Sequence, residues 1–163
     1  MKHNRISASI ILTLGSLFVS SNLFAQQDMV QKRKEFMNAN YDALKAIKRG
    51  IEQKDYGNIE LKAKDIMSNM DHLLDYFPKG SISEKSKAKP DIWEKWDEFS
   101  KIPPKVKDVA NALAKAAAAK DESAVEAHFQ ALGTQGSPYR PGACFDCHKT
   151  FVNLPPPAKK AGG

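Results

Sequence analysis

The chain has 163 residues, with 25 Lys+Arg against 19 Asp+Glu, 42% hydrophobic residues and 9% aromatic residues. That balance suits a globular domain and is too apolar for a disordered tail. The basic excess is mild and scattered, with no interleaving of arginine and aromatic residues and no nucleic-acid motif, so a nucleic-acid partner is excluded.

Met1 to Ala25 reads as a cleaved secretory signal. Lys2 and Arg5 form a positive n-region, Ile6 to Val19 carries no charge, and Leu23-Phe24-Ala25 ends in a small residue. The apolar run is too short for a bilayer and no later run matches it, so no membrane span is expected in the mature chain. The leader removes two basic residues and no acid, which takes the net charge from +6 to +4. A periplasmic location follows. That setting is oxidising, yet the only two cysteines lie three positions apart and cannot form a disulfide framework.

From Asp28 to Gly50, Val30, Met37, Leu44 and Ile51 recur every seven positions with Tyr41 and Ile47 between them, which predicts a first helix. A second is predicted from Tyr56 to Phe77, capped by Asp55 and stopped by Pro78 and Gly80. Pro78 to Pro90, rich in lysine and serine and without periodicity, reads as a solvated loop. Asp91 should cap a short piece carrying Ile92, Trp93, Trp96 and Phe99, broken at Pro103-Pro104. Pro104 can open a third helix with Val106, Val109, Leu113 and Ala116 inward. Asp121 caps a further stretch with Val125, Phe129 and Leu132 on one face. Gly133 to Pro141 breaks it, Gly142 to Val152 is helical again, and Leu154-Pro155-Pro156-Pro157 ends it. No segment alternates with period two. The predicted fold is all-α, an antiparallel four-helix bundle over residues 26–154, followed by a disordered Pro/Lys/Gly tail over 155–163.

One motif carries chemistry. Cys144-Phe145-Asp146-Cys147-His148 has the pattern C-x-x-C-H, which reads as c-type haem attachment. On a helix, Cys144, Cys147 and His148 share a face, so both thiols can meet haem vinyl groups while the imidazole reaches the iron. Phe151 falls on that face and would cover the ring. A thioredoxin-like dithiol would sit beside a βαβ pattern, which is missing, and a zinc site would need two more ligands, whereas His72 and His128 are isolated. One covalent haem c per chain is therefore expected, near the C-terminal helix.

The chain resembles the cytochrome c′ family, the class II c-type cytochromes, in placing this motif at the C-terminal end of a helical bundle. Its other landmarks are Arg33-Lys34-Glu35-Phe36-Met37, Pro90-Asp91-Ile92-Trp93 and Gly142-Ala143-Cys144. The resemblance implies that Met37 stands over the distal face of the haem. With methionine there, it further implies six-coordinate low-spin iron between Met37 and His148, as in an electron carrier rather than an enzyme. The alternative is a five-coordinate cytochrome c′ that binds NO or CO. The resemblance also places Arg33 near a haem propionate, which suits an arginine on an apolar stripe. By periodicity alone Met37 is one core methionine among several, with Met67 and Met70, and Arg33 could equally snorkel at the bundle end.

Two features depart from the family pattern. Gly133 to Pro141 interrupts the last helix, and Phe151-Val152 replaces an aromatic-plus-basic pair. The expected partners are redox proteins, acidic ones if Lys79, Lys85, Lys87 and Lys89 guide docking. A homodimer through the first two helices is a further expectation, with Phe36, off the main stripe, as its contact.

Overall fold

The computed structural model describes residues 17–133 and 142–154. Its helices are α1 (Leu17–Gln53), α2 (Tyr56–Met70), α3 (Asp91–Glu94), α4 (Trp96–Phe99), α5 (Ile102–Ala118), α6 (Glu122–Leu132) and α7 (Ala143–Phe151). Among the described residues no strand forms, only an isolated antiparallel bridge between Ala88 and Val152. No described helix is long and apolar enough to cross a membrane. Residues 17–25 of the expected leader lie in α1, and Met1 to Ser16, the loop 134–141 and the tail from residue 155 lie outside the described residues.

The sevenfold stripe on α1 is one of two that share a face. Val30, Met37, Leu44 and Ile51 alternate with Arg33, Asn40 and Ile47, the heptad spacing of a helix packed in a bundle. Ile47 is fully buried, and the polar members Arg33 and Asn40 are buried as well. Asn40 stays satisfied by donating to the Phe36 carbonyl (2.9 Å) and accepting from Asn69 on α2 (3.2 Å). Tyr41 is instead 47% exposed. Phe36 is a correction: its ring packs 5.2 Å from Tyr76, and at 8% exposure it cannot serve as the dimer contact.

Two helical hairpins build the bundle, α1–α2 and α5–α6, with α2 packed along both α1 and α5. Their turns share one construction. Lys54 and Lys120 both adopt φ of 55°. The next amides, of Asp55 and Asp121, donate back to Gly50 and Ala116, and Lys54 and Lys120 donate to Ile51 and Ala117. These paired bonds satisfy the last carbonyls of α1 and α5. Each aspartate then caps the following helix, Asp55 accepting from the Asn58 amide and Asp121 from the Ala124 amide. Glu122 ties the two turns together, with Lys54 Nζ at 2.6 Å and the Tyr56 hydroxyl at 3.0 Å. Gly50 is required here, because a Cβ would stand 2.7 Å from Ile59 Cγ1. The core between the helices includes Ile59, Ala63, Ala110, Leu113 and Leu132, all fully buried.

The opposite end departs from the sequence reading in several places. α2 stops at Met70 and the chain tightens into a 3-10 turn at Leu74–Tyr76, leaving Leu73 and Phe77 buried. The proline at 78 disfavours helix for Phe77, so the chain leaves the helical path before reaching it. Pro90, not Asp91, occupies the N-cap of α3, and the expected short piece splits at Lys95. α5 starts at Ile102 and takes both prolines into its first turn, where their missing N–H groups leave no bond unmade.

The loop from Pro78 to Pro90 is not simply solvated. Ser81 is buried, and residues 87–89 are clipped to the end of α7. The Lys89 amide donates to the Phe151 carbonyl (2.9 Å) and the Asn153 amide to the Lys87 carbonyl (2.8 Å). Lys89 Nζ reaches the carbonyls of Thr150 (3.1 Å) and Lys149 (3.4 Å), where a cation at a helix C-terminus is favourable. The interruption before α7 is also closed off. A Cβ on Gly142 would stand 2.6 Å from the Gly133 Cα, so the chain leaves α6 and re-enters α7 at one point, and α7 packs on both α5 and α6.

Candidate haem site

α7 carries Cys144, Cys147, His148 and Phe151 within its nine residues. Beside it lies a cavity of about 520 Å³, a volume in the range of cofactor sites. Met37 and Arg33 from α1 line it, as do Cys147, His148 and Phe151 from α7, and residues 85–88 of the clipped loop close one side. Thus five of the six residues singled out in the sequence meet at one place. Cys144 is the exception: it is partly buried against Gly133, where a glycine Cβ would approach its own Cβ to 3.5 Å. A second space of about 470 Å³ opens between α5, α6 and α7 and shares Cys147 and Phe151 with the first.

Aromatic rings wall the cavity. Phe99 stacks edge-on with Phe77 (4.9 Å) and with Phe151 (5.3 Å), and both Phe99 and Phe151 are almost fully buried. Burial governs the titrating groups too. It pushes the Cys144 thiol up to about 11 and the Cys147 thiol up to about 12, the latter also raised by Cys144. It lowers His148, which keeps the imidazole neutral, the form that ligates metal.

Arg33 lies at the cavity with an unfinished set of bonds. Its Nε donates to the Tyr76 carbonyl (2.6 Å) and Nη2 donates to Ser81 Oγ. Its plane rests over the ring of Phe77 at 4.5 Å and near that of Trp93 at 5.8 Å. Nη1 is buried and has no partner. Burial alone lowers the guanidinium's proton affinity, with no compensating carboxylate. A buried cation with a spare donor calls for an anion from a ligand.

The competing ligands lie elsewhere. His72 is exposed beside Asp75 (3.4 Å), and His128 sits half-buried on α6; neither lines the cavity. Met67 and Met70 belong to the α2 core and do not line it either. Among the described residues no group of three His, Cys, Asp or Glu side chains could hold a metal ion. One imidazole, one thioether, one thiol and an unpaired guanidinium around an aromatic-walled space, with the second thiol three residues before the first on the same short helix, fit a haem with its carboxylates. Ser81, the Tyr76 carbonyl and the clipped loop escaped the sequence reading. Ser81 and the loop lie in a stretch without periodicity, and Tyr76 acts through its backbone carbonyl, which no side-chain pattern reports.

The comparisons with known proteins agree with this geometry. The family model for Cytochrome C′ matches residues 28–152. The cytochrome c′ of Pararhodospirillum photometricum is 34% identical over 125 residues, covering 75% of this chain and 94% of that one. A solved cytochrome c′ described by its ligand-controlled dimer dissociation superposes with a TM-score of 0.68 at 20% identity, over 79% of this chain and 97% of that one. A nitrosyl complex of a cytochrome c prime variant from Alcaligenes xylosoxidans gives 0.65 at 18% identity, over 78% and 97%. The chain belongs to the cytochrome c′ family, a family of electron carriers that bind covalent haem c.

Proposed function

We propose that this protein carries single electrons between redox partners in the periplasm, through one haem that Cys144 and Cys147 would hold by thioethers and whose iron His148 and Met37 would ligate. The observation that supports it is that Met37 of α1 and His148 of α7 line one cavity, while no other methionine or histidine among the described residues does. Bound haem supplies the one-electron couple of its iron. The chain's own groups do the rest. His148 offers a neutral imidazole, and the Met37 thioether is a soft ligand that favours ferrous iron. Arg33 Nη1 would donate to a haem carboxylate, and Phe151 would keep water from the ring. A Met/His pair holds both oxidation states with little rearrangement, which suits a carrier and leaves no open position for catalysis.

Lys34, Lys85 and Lys87 line the cavity and are exposed, so an acidic partner is favoured and steered toward this edge. Export rests on the leader of residues 1–25. A homodimer through α1 and α2 is supported by the relative with ligand-controlled dimer dissociation, and among the described side chains Tyr41 and Leu61 are the exposed large apolar ones on those helices. The second reading is a five-coordinate gas binder, favoured by the nitrosyl complex of the A. xylosoxidans relative. The absorption spectrum of the purified holoprotein separates them. A low-spin spectrum is expected, and a high-spin one transfers the function to gas binding. Mass spectrometry of the denatured chain should show one added haem; a bare polypeptide mass refutes attachment.

A further inference from the structure

We infer that Ser81 is a positioning residue that aims the Arg33 guanidinium at a haem carboxylate without neutralising its charge. The inference rests on the reading of Arg33 given above. Ser81 closes a turn with Pro78, its amide donating to the Pro78 carbonyl at 3.1 Å, and Gly80 supplies the φ of +79° that the turn needs. The Ser81 hydroxyl spends its one proton on the same carbonyl, at 2.6 Å. Toward Arg33 it can therefore only accept. Trp93 Nε1 also donates to the Pro78 carbonyl (3.0 Å), so the ring beside Arg33 and the hydroxyl bonded to it are anchored to one atom. Tyr76 supplies the third fixed contact through its carbonyl.

Every one of these partners is neutral. They consume Nε and Nη2, hold the guanidinium plane over Phe77, and leave Nη1 buried and unpaired. A carboxylate at position 81 would fix the same geometry but cancel the charge. A hydroxyl fixes it and leaves the full positive charge for the ligand. Charge near the haem matters because reduction adds an electron, and a held cation favours the reduced state.

The test uses the holoprotein and its reduction potential at one pH and ionic strength, with haem content checked by mass. Ser81→Ala frees the guanidinium, so the equilibrium constant for reduction should fall by about threefold, about 28 mV for one electron. Ser81→Thr keeps the acceptor and should restore the wild-type potential. Ser81→Asp keeps the orientation but supplies a negative charge, and should lower the potential further than Ser81→Ala. In an Arg33→Gln background the Ser81→Ala change should have no further effect. A wild-type potential in Ser81→Ala overturns the inference. So does a Ser81→Thr that fails to restore it, or an undiminished effect without Arg33. If Ser81→Ala yields no folded holoprotein, equal potentials in wild type and Ser81→Asp overturn it. A high-spin wild-type spectrum refutes Met37 ligation and leaves this comparison intact, since it is read as a difference between variants.

Discussion

Replacing Met37 with leucine separates its packing from its proposed ligation. Met37 is only partly buried on α1, and it packs against the core cluster while lining the cavity. Leucine has nearly the same volume and the same apolar character, so the packing cost should stay under about 1.5 kcal/mol. For a domain of this size that corresponds to a loss of Tm of about 5 °C or less. The neighbours that hold α1 in register, Asn40 with Asn69 and the buried Ile47, are untouched. The ligation effect is far larger. If Met37 closes the sixth position about 99% of the time, the open fraction of about 1% weakens the apparent affinity for carbon monoxide by about 100-fold. Met37→Leu removes that handicap. The variant should show a high-spin spectrum and bind carbon monoxide to the ferrous form about 100-fold more tightly than wild type. A variant that stays low-spin would mean that another group ligates the iron. A wild type that is already high-spin would mean that Met37 only packs.

Further outcomes follow from other parts of the site. Phe99→Ala removes a ring that contacts Phe77, Trp96 and Phe151, and should cost about 3–5 kcal/mol in denaturant unfolding; a loss under about 1 kcal/mol would mean the aromatic wall repacks freely. Lys89→Met removes the cation from the α7 carbonyls, worth about 0.3–1 kcal/mol, so exchange of the Asn153 amide should quicken by up to about fivefold; unchanged exchange would show that the backbone bridge holds the loop unaided. In chain made without haem, thiols pushed to about 11 and about 12 should react with iodoacetamide far more slowly at pH 7.5 than in the denatured chain, the gap narrowing as pH rises toward them. Because those thiols stay protonated longer in the folded state, its stability should fall as pH climbs past the ordinary thiol value; equal native and denatured rates would contradict their burial. Light scattering should give a dimer that Tyr41→Glu with Leu61→Glu dissociates; a monomeric wild type removes the dimer.

Local pattern sufficed wherever covalent neighbours decide the chemistry. The C-x-x-C-H spacing is readable because three groups on one helical face need no tertiary contact to be brought together. The stripes of α1, α2 and α5 were readable because burial imposes its period on the sequence, and Asp55 and Asp121 announced their helix starts by residue type. The helix ends were harder. Lysine, not glycine, takes the left-handed position at Lys54 and Lys120, so nothing in composition marks those turns. Long-range placement belonged to the tertiary structure. Arg33 could have snorkelled into water, and only the packing of residues 76–93 against α1 encloses it with neutral partners and leaves one donor free. Phe36 and Tyr41 exchanged their expected positions because the 3-10 turn brings Tyr76 over one side of α1. The lysine-rich loop is held by the exposed backbone edge after α7, a contact between segments that share no periodicity. A sequence encodes spacing along one helix directly, whereas the meeting of Met37 with His148 depends on how every intervening turn directs the chain.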